Sequence, residues 1–591
     1  MRSTKRTLAL ALAGLLLAAC GHKDKDAPLA FAPADTPYVV ANLDVLDDDT
    51  RAALFAQADA QMPAEVAQLR AAADEMAAKD ADTANLLRAF AKELDGKTVE
   101  SFSQGAGLDL KGYSALYGLG LAPVLRFQLS DTDAFEAFVG RLESAYGKKF
   151  DVASVDKQSY RRHVSVATGT QLILAVVGKQ AVAAILPADA AQPLLRQALG
   201  LDRPARNLQD DGRLAKLAKA RGYEQWAVGE LDLTRALPLA ASGKDPLFNA
   251  LLKARAQAES AKTGEPVANQ LQIPPSCQVD ATRIASRVPQ LSFGYTRLEA
   301  KHQDMRWDVS LASDITQAFS GLKVELPGLG TTQATSPFEF FLALPVAQMR
   351  AFWGAQADAV AAKPFTCPAL TDLNDTFAKL GQNMQKAAIP PFGDLLGLGL
   401  SLDSFTPGQA NAMPQFTGRL VLGTSNPAGL LAMGQMMTPA LAQLKLTADG
   451  KPVALPPNLA NMFGQPAWLA MGAKSLGLGM GAGEDGKLAD ALKAPIGDAG
   501  QMLRMHLNGQ MYLDWVNLMQ QKADSLASAA AALSKDESAG TEDPADKAAT
   551  EARTKAQFAA MRAQAARIES MDAEAHVDGN GLVISGQTTL K

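Results

Sequence analysis

Gln171-Leu-Ile-Leu-Ala-Val-Val-Gly178-Lys-Gln-Ala-Val-Ala-Ala-Ile-Leu186 decides the fold class. Two short apolar runs flank a Gly178-Lys179-Gln180 turn. Neither run reaches the ~20 residues that a membrane-spanning helix needs. Apolar runs of this length around a glycine-polar turn read as a β-hairpin. A second stretch has the same order: Gln465-Pro-Ala-Trp468-Leu-Ala-Met-Gly472-Ala-Lys-Ser-Leu476-Gly-Leu-Gly-Met480. Hairpins join antiparallel strands, whereas parallel strands need a long crossover. The chain therefore reads as α+β with mainly antiparallel sheets, not as a doubly wound parallel sheet.

Working outward, each hairpin sits in the same succession of segments. One half opens with an apolar strand, Tyr38 to Leu43, after a Pro-bounded turn; the other opens at Ser336-Pro-Phe338 and runs to Leu344. A long helical region follows each: Thr50 to Leu94, preceded by Asp47-Asp48-Asp49 as capping acids, and Val346 to Ala361 with Leu370 to Ala388. Tyr117-Gly118-Leu-Gly120-Leu121 then matches Leu396-Gly397-Leu-Gly399-Leu400. A strand and a capped helix come next, with Asp131 or Thr132 as one cap and Ser425 or Asn426 as the other. After the hairpins, Leu194 to Leu199 pairs with Leu488 to Leu492, and Trp226 to Leu233 pairs with Met505 to Leu513. Two similar halves by internal duplication are expected, each a mainly antiparallel sheet with helices on one face.

The expected boundaries are 31–326 for the first half, 327–337 as a linker of Pro/Gly/Thr/Ser composition, and 338–591 for the second half. An Ala-rich helical hairpin is expected near 515–568, broken by the low-complexity run Ser538 to Asp546.

Composition limits function. The 591 residues are 48% hydrophobic and 20% charged, which suits a globular chain. A net charge of −5 argues against a general nucleic-acid binder, which needs a basic surface. His22, His163, His302, His506 and His576 show no paired spacing with one another or with Cys, so no metal site is expected. Gly477-Leu-Gly479-Met-Gly481-Ala-Gly483 does not open a helix after a strand as a dinucleotide loop would, and it reads as a strand closely approached by another element. Gly423-Thr-Ser425-Asn-Pro427 reads as a helix cap rather than a nucleophile elbow. No cofactor is expected.

The N-terminus carries an address. Arg2, Lys5 and Arg6 precede the 12-residue apolar run Leu8 to Ala19, which ends Leu17-Ala-Ala-Cys20-Gly21. This resembles the bacterial lipobox. The resemblance implies a signal peptide over 1–19, acylation at Cys20, and a tether over 20–30. Gly21 after the cysteine implies, by the same resemblance, export to the outer membrane with the protein facing the periplasm. Removing three cations from a net charge of −5 leaves −8 on the mature chain. The whole resembles large outer-membrane-directed lipoproteins of Gram-negative bacteria with two related α+β halves. In that oxidising compartment Cys277 and Cys367, each in a Pro-flanked segment expected to be irregular, are expected to form a disulfide.

Of 19 Met, 15 lie at or after Met349. Met433, Met436 and Met437 fall on one helix and form a candidate deformable apolar contact face, against the alternative that they are core. The expected function is a lipid-anchored binding or interaction protein without catalytic chemistry. Its expected partners are the membrane through the lipid and an envelope protein or apolar ligand. An envelope hydrolase with dispersed residues, or a structural spacer, is the alternative.

Overall fold

The Gln171 to Leu186 stretch is a hairpin in the computed structural model, which describes residues 25–264, 266–267, 273–387, 389–406, 415–533 and 544–591. Cys20, its lipobox and residues 538–543 of the expected Ser538 to Asp546 break lie outside the described residues. No described helix is long and apolar enough to cross a membrane.

The fold is α+β and every strand pairing between named strands is antiparallel. The chain divides into two units, Met1–Arg306 with Leu526–Gln564, and Trp307–Ser525 with Ala565–Lys591. In the first unit the strands are β1 (Tyr38–Ala41), β2 (Ser114–Leu119), β3 (Ala122–Gln128), β4 (Asp151–Val155), β5 (Gln158–Ser165), β6 (Thr170–Val177), β7 (Gln180–Pro187), β8 (Val228–Asp232) and β9 (Gln290–Leu298). Their order across the sheet is β4-β5-β6-β7-β3-β2-β1-β8-β9. The unit boundary falls inside β10 (His302–Ser310).

In the second unit the strands are β11 (Phe338–Ala343), β12 (Leu395–Thr406), β13 (Gln415–Thr424), β14 (Val453–Ala454), β15 (Ala467–Gly472), β16 (Ser475–Met480), β17 (Gln501–Asn508), β18 (Ile568–Val577) and β19 (Gly581–Leu590). Their order is β14-β15-β16-β13-β12-β11-β17-β18-β19. From β6 to β9 and from β15 to β18 the two orders coincide position for position.

The first unit corrects the expectation of helices on one face. Leu195, Ala198 and Leu199 of the Gln192–Leu199 helix pack with Ile173, Val182 and Val124 on one side of the sheet. Phe135, Phe138 and Leu142 of the Thr132–Tyr146 helix pack with Leu172, Leu174 and Val176 on the other. The cause lies in the sequence: Leu172 to Val177 is apolar at every position, so both faces of β6 need cover.

The 327–337 segment is not a linker. Leu326 and Leu329 are wholly buried in the second unit's core with Phe341 and Leu488, and the Gly328 N–H donates to the Pro495 carbonyl (2.9 Å). Turn-forming Pro327 and Gly328 fold the chain inward between two anchoring leucines. The expected first-half end at 326 is corrected likewise, because residues from Trp307 onward belong to the second unit. The second half as bounded, 338–591, also loses Leu526–Gln564 to the first unit. The Ala-rich region forms helices Gly509–Leu533 and Pro544–Arg567.

Helix starts follow the expected caps. Asp47 accepts from the Thr50 N–H, Asp131 from the Asp133 and Ala134 N–H groups, and Asn426 from the Gly429 N–H.

Candidate functional site

The second unit's sheet separates two kinds of surface. On one face, cross-strand register aligns Arg504, Phe341, Gly399, Val421 and Gly477, and beside them His506, Glu339, Ser401, Arg419 and Gly479. All but His506 are buried. Glycine is required where rings and helices press in: a Cβ on Gly399 would sit 2.5 Å from Phe341 Cε1, and one on Gly477 would sit 2.7 Å from Leu488 Cδ1. Gly477 and Gly479 thus lie in a strand closely approached by the Glu484–Ala491 helix, as the alternation predicted, but Gly481 and Gly483 lie beyond that strand at positive φ and Gly483 caps the helix, which corrects the expectation that the run does not open a helix after a strand.

This face hides an ionic network. Arg419 donates to Asp403 Oδ1 (3.0 Å) and Oδ2 (3.0 Å), to Glu484 Oε2 (2.9 Å) and to Ser336 Oγ (2.6 Å). Arg504 donates to Glu339 Oε2 (2.7 Å), while Glu339 Oε1 accepts from the Thr335 and Ser336 N–H groups. Burial and the neighbouring Asp403 carboxylate raise Glu484 above the ordinary carboxylate range. Burial opposes ionisation of Asp403 too, but hydrogen bonds from Lys487, Ser336 and Arg419 outweigh it and hold Asp403 low. Every charged head here meets an opposite one, which makes the network a clamp between sheet and helix rather than a reaction centre.

The opposite face is apolar and incompletely covered. Leu503, Leu342, Leu398, Leu422, Leu476 and Met471 form one cross-strand row; Met505, Phe340, Leu400, Leu420, Leu478 and Leu469 form the next. Only Met471 is buried, and the other side chains stay half-buried. Trp515 and Tyr512 pack at one end, with Phe338 and Leu402. Leu441, Leu444 and Leu455 pack at the other, with Leu469, Leu478 and Met480. Leu342, Leu398, Leu420, Leu422 and Leu476 fall in neither cluster.

The Pro427–Met437 helix touches β16 and the Pro439–Gln443 turn. It buries Leu430 and Leu431; Met433 is half-buried, and Met436 and Met437 are each 78% exposed. The three methionines therefore do not share one buried stripe. The two at the helix end are presented to solvent.

The first unit holds a cavity of about 380 Å³ lined by Phe31, Thr36, Gly118, Gly120, Asp202 and Arg235 among others. Several polar groups at and beside it are engaged with one another. The Gly118 N–H donates to Thr36 Oγ1 (3.0 Å), the Leu121 N–H to Asp245 Oδ2 (2.9 Å), and Arg235 Nη1 to the Ala34 carbonyl (3.2 Å). The Gly118 and Leu121 amides are thus already taken and are not spare donors for a phosphate.

Among the described residues, Thr83 with His163 resembles a nucleophile and base. Thr83 Oγ1 lies 2.9 Å from His163 Nε2, and Tyr146 OH lies 3.4 Å from Nδ1. Asp80, however, holds the hydroxyl and not the imidazole: it accepts from Thr83 Oγ1 (2.8 Å), the Thr83 N–H (2.9 Å) and Ser165 Oγ (2.7 Å) as the cap of the Ala81–Leu94 helix. Burial lowers the His163 pKa and keeps the ring neutral. Among the described residues no group of three or more His, Cys, Asp or Glu side chains could hold a metal ion.

Cys277 and Cys367 form a disulfide. Cys277 lies in the first turn of the Pro275–Arg287 helix, not in the irregular segment its flanking prolines suggested, because Pro is at home at a helix start. Sequence reading also missed the ionic network, since its members are far apart along the chain. An Arg inside an apolar strand, as in Gly418-Arg419-Leu420, was the available signal. No protein-family model, curated protein or solved structure matches this chain.

Proposed function

We propose that this is a lipid-anchored, periplasm-facing binding protein of the Gram-negative envelope, which takes an apolar ligand or partner segment on the half-covered Leu/Met face of its second unit. The observation that carries the reading is the contrast between the two faces of the same strands. One face is closed over even its charges; the other leaves two rows of paired leucines partly open to water. Contiguous apolar surface of this kind marks an interaction site, and methionine at its margin adapts to irregular shapes. The anchoring part of the proposal rests on the Leu17-Ala-Ala-Cys20 motif.

The test uses the folded full chain and the apolar dye N-phenyl-1-naphthylamine. Saturable fluorescence enhancement is expected, and Leu398→Asn with Leu420→Asn should weaken it about tenfold while circular dichroism stays unchanged. No enhancement, or enhancement indifferent to both changes, rejects the face. For the anchor, Cys20→Ser should leave the N-terminal segment uncleaved and the chain without acyl mass; unchanged processing rejects it.

We infer as well that the halves descend from an internal duplication. Support comes from the matching strand orders and from matched contacts at matched places. The Asp232 N–H donates to the Pro37 carbonyl and the Asn508 N–H to the Pro337 carbonyl, both at 2.8 Å. Asp232 and Asn508 each then accept a helical N–H, from Arg235 and Met511. At the hairpin turns the Leu129 N–H donates to the Lys179 carbonyl (2.8 Å) and the Thr424 N–H to the Lys474 carbonyl (2.9 Å).

A further inference from the structure

The chain enters the first unit at one end of its sheet, and it is held there. Gln180, the first residue of β7, donates from Nε2 to the Asp26 carbonyl oxygen, and Arg203 donates to the Lys25 carbonyl and to Asp26 Oδ1. Asp26 stands six residues beyond Cys20. Fully extended, that stretch covers at most about 22 Å. Cys20 therefore lies within that reach of this end of the strands.

Register shows which surfaces share that end. The Val177↔Gln180 pairing places the Gly178–Lys179 turn there. Gln158 Nε2 donates to the Val176 carbonyl (3.0 Å), which brings the Asp156–Lys157 turn beside it. The opposite end of the same strands carries the Val166 to Gly169 turn, closed by Ser165↔Thr170, with Val166 86% exposed. Eight residues of β6 at about 3.3 Å each separate the two ends by about 26 Å.

The near end is also chemically suited to phospholipid headgroups. Lys157 and Lys179 are exposed at the two turn tips. Several carboxylates at this end are engaged: Asp156 and Asp202 pair with Arg196, Asp26 pairs with Arg203, and Asp131 caps a helix. Cations at a bilayer surface are drawn to its anionic lipids.

We propose that the sheet end formed by the Asp156–Lys157 and Gly178–Lys179 turns, where Gln180 and Arg203 hold Asp26, faces the phospholipid surface into which the Cys20 acyl chains insert. The strands then rise from that surface and place the Val166 turn farthest from it. The proposal rests on the acylation of Cys20 advanced above.

The test places one bimane label on the acylated, disulfide-oxidised full chain at Lys179→Cys, Lys157→Cys or Val166→Cys, reconstituted in phosphatidylethanolamine–phosphatidylglycerol vesicles that carry a headgroup spin label. Quenching at 179 and 157 should exceed quenching at 166 several-fold. Equal quenching at all three sites, or stronger quenching at 166, overturns the orientation while an intact-mass measurement shows the acyl chains in place. A chain that is unacylated by mass removes the premise itself and defeats the proposal on that separate ground. Vesicles of phosphatidylcholine alone separate the two supports: if the order of quenching persists there, the tether sets the orientation, and if it vanishes there, Lys157 and Lys179 do.

Discussion

Arg126 and Arg419 are both buried in the third strand of their sheets, yet they are held differently. Arg126 donates to Tyr117 OH (3.0 Å), Gln180 Oε1 (3.3 Å) and the Ala198 carbonyl (2.8 Å), with Phe31 under its guanidinium at 4.0 Å. None of these acceptors carries a charge. Arg419 instead neutralises two carboxylates. Removing Arg419 leaves Glu484 and Asp403 with only the half-exposed Lys487 as counter-charge, so Arg419→Met should destabilise the second unit by about 3–5 kcal/mol. Arg126→Met leaves only neutral acceptors unpaired and should cost the first unit about 1–3 kcal/mol. Urea unfolding followed by a probe in each unit checks the order, and equal losses contradict it. His163 adds a pH dependence. Its folded pKa lies below the ordinary 6.5, so the unfolded chain takes up the proton first as pH falls. Stability of the first unit should be complete above about pH 6.5, decline as pH drops through the window below it, and level off beneath the folded pKa. His163→Gln should flatten that slope in thermal melts; an unchanged slope assigns it elsewhere. Such residues were hard to read from sequence, where a strand arginine or histidine looks solvent-facing. Arg504 and Glu339 meet across 165 positions, and no local pattern announces the pair.

At the scale of elements, the strands and caps were legible because their signals are local. The Gly178 and Gly472 hairpins, the Asp131 and Asn426 caps, and the glycine-leucine alternation of β16 each depend on neighbours within a few residues. What local patterns missed was the use of each face. The alternation in Gly397 to Leu400 places Gly399 under Phe341 and Leu398 and Leu400 on the open side, so the same motif serves both closure and exposure. Gly399→Ala should therefore force Phe341 aside and cost about 1–3 kcal/mol. Gly140, exposed within the Thr132–Tyr146 helix with nothing near its missing Cβ, gives the opposite outcome: Gly140→Ala should gain about 0.5–1 kcal/mol. Denaturant midpoints of the two variants should move in opposite directions, and shifts of the same sign would contradict this reading of the two sites. Met436 and Met437 sit at a helix end with their side chains in water, so glutamate at both should be accepted by the fold; a large loss of stability would mean that they are core after all.

At the scale of the molecule, the α+β class with antiparallel strands was legible, but the finest match between the two Gly-x-Gly motifs was out of register. Val39 lies opposite Tyr117 in one sheet and Glu339 opposite Ser401 in the other. With Thr36-Pro37-Tyr38 set against Ser336-Pro337-Phe338, the Gly118 position corresponds to Leu402 and not to Gly397. The two Gly-x-Gly motifs answer different demands: Gly120 has a positive φ of 58° in a tight turn, and Gly397 makes room for Leu326. Linker composition misled for a related reason, since Pro and Gly mark a change of direction whether or not the chain is leaving a domain. The Cys277–Cys367 disulfide was readable only through the compartment that the Cys20 motif implied, and it gives that compartment a consequence that can be measured. Both cysteines are buried, and cross-linking residues this far apart removes about 4–5 kcal/mol of unfolded-chain entropy as an upper estimate. Alkylation of the unfolded mature chain should add no mass at these positions before reduction and two adducts after it. Reduction should lower the thermal midpoint, and Cys277→Ser should lower it by the same amount while leaving Cys367 open to alkylation. If the exported chain took adducts before reduction, as a chain made in the cytoplasm with reduced thiols would, the bridge would be absent and the oxidising compartment would lose its chemical support.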